Sequence, residues 1–349
     1  NTVLPYVSTA REGVERLGAM IEKYGSAEGF GIGFIDNKET WYLENACGHH
    51  WLACRIPNDK YFVTGNQSRF RDYDPNDKEN FLADSRLLSY AEENGLWDPS
   101  EKFDFHKAYS KDDIADHTYN YTRVWGLQGL FTPSMKQNVD INNFPVYAVP
   151  DSGHIGIAEL RKAFRFHYDG TDHDPYLHNN GKEPWRPVSI FRTTQTHLLQ
   201  VRPWLPEAIG HITYVANGMA DLGVFLPIYQ GIKSFPKAYS IGDNHCSDDS
   251  AYWKFRKVMT LAMTNYNAYA PLVKETYAKL EAENDERQKE FEARYLAIYK
   301  EKPMEAQDML QDFSDEILNK ALEVADQLTL ELFTRLTADT MKAYMFHGA

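Results

Sequence analysis

The chain predicts an α+β fold in which antiparallel sheets are covered by helices. Three observations carry this. Residues 29–70 set β-forming aromatic and aliphatic residues between tight-turn residues. A second extended block covers 188–229, and from Tyr252 onward the apolar spacing is helical. The order is helix, antiparallel strands, helices, strands, helices, which suggests α+β with sheets covered by helices.

Taken in order, 9–24 is an amphipathic helix: Val14, Leu17, Ile21 and Tyr24 recur at helical spacing, and Gly25 supplies the C-cap. Strands follow at 31–35 and 39–44, joined by the turn Asp36-Asn37-Lys38. Residues 50–56 and 61–64 are expected to pair across Pro57-Asn58-Asp59. The polar loop Gly65-Asn66-Gln67 closes the run. Residues 72–80 are loop-like, and 81–94 is expected to be a helix, with Phe81, Leu82, Leu87, Leu88 and Ala91 apolar and Gly95 after it.

Residues 103–133 are mixed and helical around 119–130; 141–149 is extended, and 155–166 is helical. A long polar loop spans 168–187. Strands are expected at 188–201, 211–217 and 224–229. In the charged helix 274–299, Tyr277, Leu280, Phe291, Tyr295 and Ile298 are the buried positions. Pro303 breaks it, and 304–346 continues as one or two helices. With no repeat and no linker, 1–349 reads as a single domain whose 250–349 part is helical.

The 349 residues, 43% hydrophobic, are enough for a sizeable core. A net charge of -13 disfavours nucleic acid and anionic lipid as partners. No apolar run approaches the roughly 18 residues of a membrane span. Three cysteines, Cys47, Cys54 and Cys246, do not make a disulfide framework, which points to a reducing, cytoplasmic compartment.

No cofactor or metal is expected. Gly29-Phe-Gly31-Ile-Gly33 is followed by strand and turn, whereas a dinucleotide fingerprint needs a helix there; its glycines relieve close sheet packing. His49 and His50 are adjacent strand residues and face opposite ways, so they do not easily share one ion. Cys47 and His49 would share a face, and His245-Cys246 are neighbours, but most free cysteines are buried small apolar groups. The crowd His167, Asp169, Asp172, His173, Asp174 and His178 fits neither a calcium loop nor a zinc site and reads as a solvated or lid-forming loop.

Asn66 and Arg192 stand out because each is expected near the end of an apolar strand segment, 62–64 and 188–191. An Asn amide can donate to an oxyanion, and an Arg can hold a carboxylate or keep a thiolate ionised. A capping Asn and a surface Arg fit the same spacing.

An ordered set of motifs runs along the chain. It comprises Ser8-Thr-Ala-Arg11-Glu-Gly-Val-Glu15, Trp41-Tyr-Leu-Glu44, Gly48-His-His-Trp51, Arg55-Ile-Pro57 with Asp59, and Asn66-Gln67. Tyr168-Asp-Gly-Thr171 with Asp174, and Arg192-Thr193 with His197, complete it. In this set the chain closely resembles the dipeptidase A family of lactic acid bacteria and their relatives, cysteine peptidases of the N-terminal-nucleophile hydrolase superfamily.

The resemblance implies an αββα sandwich and hydrolysis of dipeptides by a cysteine at the mature N-terminus, whose own α-amino group shuttles the proton. It implies that Asn66 donates to the tetrahedral intermediate and that Arg192 lies close to the nucleophile. His50 and Trp51 would line the substrate pocket, and Asp174 with its loop would cover it. The family's cysteine lies upstream of the Ser8–Glu15 motif. The chain is therefore expected to be the large C-terminal portion of the enzyme, partnered by its missing N-terminal segment and assembled as a homo-oligomer. Three other readings are a penicillin or bile-salt type amidase of the same superfamily, a non-catalytic scaffold that assembles through 274–299, and a metallopeptidase.

Overall fold

The structure is a computed structural model that describes residues 2–177 and 184–345. It divides into two compact units, Asn1–Gly156 with Pro184–Arg186, and Ile157–Glu183 with Pro187–Ala349.

The first unit opens with α1 (Ala10–Tyr24). Thr9 caps it by accepting from the Glu12 N–H, and Gly25, at φ 77°, ends it. Strands β1 (Gly31–Ile35), β2 (Thr40–Asn45) and β3 (Trp51–Arg55) follow, then β4 (Tyr61–Phe62) and β5 (Phe81–Ala83). All but β4 form an antiparallel sheet in the order β1-β2-β3-β5. Asp36 closes the first hairpin by accepting from the N–H groups of Lys38 and Glu39. No helix follows the glycines of β1, and an added Cβ at Gly31 would overlap the Tyr42 hydroxyl of the neighbouring strand.

The face of α1 with Val14 and Ile21 packs on Phe34, Trp41, Leu43 and Trp51. Gly18 lies against Trp51: an added Cβ would sit 2.2 Å from the indole ring. Alanine there gains about 1 kcal/mol of helix propensity. It also overpacks a filled core, at about 1–3 kcal/mol. Gly18→Ala is therefore expected to lower the stability measured by urea denaturation by a net of up to about 2 kcal/mol; a raised stability would mean that Trp51 moves freely.

Two expectations fail in this unit. Residues 61–62 do not pair with 51–55. Both edges of β3 are already taken, by β2 and β5, and β4 pairs instead with β6 (Tyr147–Ala148). Residues 81–94 are not one helix. Phe81–Ala83 is β5, and Asp84 accepts from the N–H groups of Trp51 and Arg86, closing a turn. Only then does α2 (Leu87–Glu93) begin. The apolar spacing carried the break, because it jumps from Leu82 to Leu87. Short helices α3 (Phe105–Tyr109), α4 (Asp116–Tyr119) and α5 (Tyr121–Phe131) complete the unit.

The second unit begins with α6 (Ile157–Arg165). Strand β7 (Gln195–Val201), the short α7 (Glu207–Gly210), β8 (His211–Asn217) and β9 (Leu226–Tyr229) follow, and the strands form an antiparallel sheet β7-β8-β9. Ile212, Tyr214 and Ala216 alternate inward along β8. Helices α8 (Ala251–Met263), α9 (Tyr266–Ile298) and α10 (Pro303–Ala343) cover the core. Pro303 separates the last two by sitting at the N1 position of α10. Within the stretch expected to be helical, 304–343 is one unbroken helix, which ends at Ala343.

Here two strands start later than expected. Residues 188–194 are bent, because the N–H groups of Val188 and Ser189 both bond to Phe166 O and the carbonyl of Ser189 accepts from Tyr176. Phe225 donates its N–H to Glu281, so β9 starts at Leu226. Arg192 therefore precedes a strand and does not end one.

Candidate functional site

In the first unit, the loop after β4 is fastened from several sides. Glu44, buried on β2, accepts from the Ser68 hydroxyl at 2.5 Å and from the N–H groups of Arg69 (2.9 Å) and Phe70 (3.3 Å). Burial pushes the Glu44 carboxyl above its ordinary value, against the lowering effect of these donors. Arg69 is 2% exposed, and its guanidinium donates to the carbonyls of Val63, Phe144 and Pro145. Burial lowers its pKa to about 10. His106 bonds to Ser68 O at 2.7 Å.

The remaining anchor is Asn120, at the start of α5. Its Oδ1 accepts from the N–H of Asn66 and from Arg123, both at 2.7 Å, and its amide donates to Asp116. An added Cβ at Gly65 would lie 2.8 Å from that Oδ1, so the loop needs glycine there. The Asn66 side chain is exposed and has no partner among the described residues. A neutral amide donor thus stands on a backbone that is already fixed, with its N–H groups open to an incoming negative charge.

Arg192, in the second unit, is built alike. Its side chain is exposed, and its flanks are held. Tyr176 donates to Ser189 O at 2.6 Å, and Ser189 Oγ accepts from the Asp221 N–H at 2.8 Å. Arg256 of α8 donates to Phe191 O.

The other expected site residues have internal partners. His50 bonds through Nδ1 to Asp84 at 2.8 Å, and its ring centroid lies 4.1 Å from that of Tyr90. His49 turns the other way, to Glu22 O. Trp51 is buried against α1 and donates to Glu22 Oε1 at 3.0 Å. Asp174 is buried and accepts from His167 Nδ1 at 3.0 Å.

His167 centres a charged network. Its Nε2 lies 2.9 Å from Asp169, 3.0 Å from the Tyr266 hydroxyl and 3.5 Å from Asp221. Lys274 donates to Asp221 at 2.7 Å, and Tyr266 donates to its other oxygen at 2.6 Å. Burial alone would lower the His167 pKa; the bonds to Asp169, Asp174 and Asp221 override it and raise it to about 11. Asp221 is held below the carboxylate range, its bonds to His167 and Lys274 outweighing its burial. Of the crowded loop, His178 lies outside the described residues.

The sequence reading gave no site role to Glu44, Arg69, Asn120, Tyr176, Asp221 or Arg256, although Glu44 ends one of the quoted motifs. Only Glu44 carried a usable signal, an acid directly after the apolar Trp41-Tyr-Leu. Of the cysteines, Cys47 and Cys246 are exposed, and Cys54 is buried in the same apolar cluster as Phe70 of the fastened loop. Burial, then the charge of Glu44, pushes the Cys54 thiol well above its ordinary pKa. No described helix is long and apolar enough to cross a membrane.

Residues 1–279 match the family model of peptidase family C69. A probable dipeptidase of Salmonella dublin is 51% identical over 237 residues, covering 67% of this chain and 54% of that protein. The chain thus spans about half the length of that relative. A probable dipeptidase A of Streptococcus pyogenes is 30% identical over 342 residues, or 95% of this chain and 73% of the relative. Dipeptidase A of Lactobacillus helveticus is 30% identical over 335 residues, 94% of this chain and 70% of the relative. The match over most of the chain, with aligned relatives along nearly all of it, places the chain in peptidase family C69.

Proposed function

We propose that this chain is part of a dipeptidase of the N-terminal-nucleophile type, built as an αββα sandwich. The observation that carries the reading is the exposed Asn66 amide on its fastened loop; the names of the relatives supply the substrate class. A cysteine thiolate attacks the peptide carbonyl, and the oxyanion accepts a hydrogen bond from Asn66. Arg192 keeps the thiolate ionised. The cysteine's α-amino group passes the thiol proton to the leaving amine, and water then releases the acyl group.

The nucleophile in this reading is a cysteine outside these 349 residues. In support, the Cys54 thiol is buried and disfavoured as an anion. His50, Trp51 and Asp174, with their internal partners, act on substrate through the walls they hold. The working state is a cytoplasmic homo-oligomer that includes the N-terminal segment.

Iodoacetamide treatment of the full-length protein, followed by peptide mass mapping, tests this. Loss of dipeptide hydrolysis should track alkylation of one cysteine outside residues 1–349. Loss that tracks Cys47 or Cys246 would overturn the mechanism, and loss with a chelator but not with the thiol reagent would favour a metallopeptidase. Turnover of acyl amides in place of dipeptides would assign the amidase reading.

A further inference from the structure

One side chain fastens the backbone on both sides of Arg192. Arg256 donates from a single guanidinium nitrogen to Phe191 O at 2.5 Å and to Thr193 O at 3.5 Å. Its Cζ lies 4.0 Å from the centroid of the Phe191 ring. The guanidinium is half-buried and makes no ion pair among the described residues, although the chain carries a net charge of -13. Its attachments within the unit are thus two carbonyls and one aromatic face.

The segment needs such a holder. Residues 188–194 lie outside any strand, so no ladder fixes them. Ser189 is tied to Tyr176 and Asp221, and the Thr193 N–H closes a turn on Ile190 O. Arg256 holds the Phe191 carbonyl, in the peptide plane that enters Arg192, and reaches the Thr193 carbonyl one plane beyond; the plane between them is held by the Thr193 N–H on Ile190 O. Those planes fix the direction in which the Arg192 side chain leaves the backbone.

We propose that Arg256 is a positioning residue for Arg192, which rests on the reading of Arg192 as the cation beside the thiolate. The planar guanidinium reaches both carbonyls and stacks on the ring at once; a lysine ammonium keeps the charge but gives up the planar stacking that sets its place over the Phe191 ring. Loosening Arg192 by about an ångström is expected to cost about 10- to 100-fold in turnover. It also lets the thiol pKa rise, because a more distant cation stabilises the thiolate less.

The test uses the full-length enzyme, with kcat expressed per folded protein recovered from size exclusion and checked by circular dichroism, so that unfolded material does not count. Arg192→Gln should lower kcat and move the acid limb of kcat/KM to higher pH. Arg256→Lys should lower kcat about 10-fold and move the limb the same way by less. The double variant should be no worse than Arg192→Gln alone. If Arg192→Gln moves both readouts while Arg256→Lys leaves both at wild type, the positioning role is wrong and the reading of Arg192 stands. If Arg192→Gln moves neither, that reading fails and the positioning role fails with it.

Discussion

Replacing Asn66 by alanine in the full-length enzyme is expected to lower kcat about 100- to 1,000-fold, with KM and the unfolding midpoint near wild type. Removing one preorganised donor to a tetrahedral intermediate costs about 3 kcal/mol in the transition state. The ground-state carbonyl carries much less charge, so KM changes little. The fold is spared because Asn66 is tied in by its backbone N–H, through Asn120, and that bond survives truncation of the side chain. Asn66→Asp sharpens the test, since a carboxylate cannot donate and should do no better than alanine. Steady-state kinetics on a dipeptide, beside a urea melt, decide the matter. A variant with near-wild-type kcat would remove Asn66 from the chemistry, and one that melts early would make it a structural residue.

The fold was readable where local chemistry and long-range pairing agree. Thr9 and Gly25 bound the first helix as their types require, and Asp36 makes the hairpin turn that its position announces. It was misread where a residue's partner lies far away in sequence. Phe81 looks helical until β3 offers it an edge, and Val188 looks extended until Phe166 O takes its N–H. The same divide runs through the site. Asn66 shows itself as a polar residue in a loop after an apolar segment. Its support does not: Glu44 and Asn120 are 22 and 54 positions away, and nothing local marks them as its neighbours. Asp174 is the instructive case. In a loop full of Asp, Gly and His it reads as solvated, yet His167 and the Tyr176 N–H supply enough partners to bury it.

That burial leads to the second large effect. His167→Phe is expected to destabilise the protein by about 3–5 kcal/mol at neutral pH, the loss typical when one partner of a buried ion pair is removed. Asp174 is left without its imidazolium partner, and Asp221 keeps only Lys274 and Tyr266. The pH dependence identifies the charge. The folded His167 pKa, about 11, lies above its ordinary 6.5, so its contribution is full below about 6.5 and falls as pH climbs toward 11. Asp169 and Asp221 are held below 3.8, so their contribution is present above that value and is lost as pH falls through their folded pKa values. The difference between wild type and variant should therefore be greatest from about pH 4 to 6.5 and should narrow steadily on the alkaline side. Urea denaturation of both proteins at pH 5.5, 7.5 and 9.5 measures this directly. A difference that stays flat across the three would mean that His167 is neutral in the fold and that Lys274 alone balances the buried carboxylates; the loss in His167→Phe would then be one of packing and hydrogen bonds, not of charge.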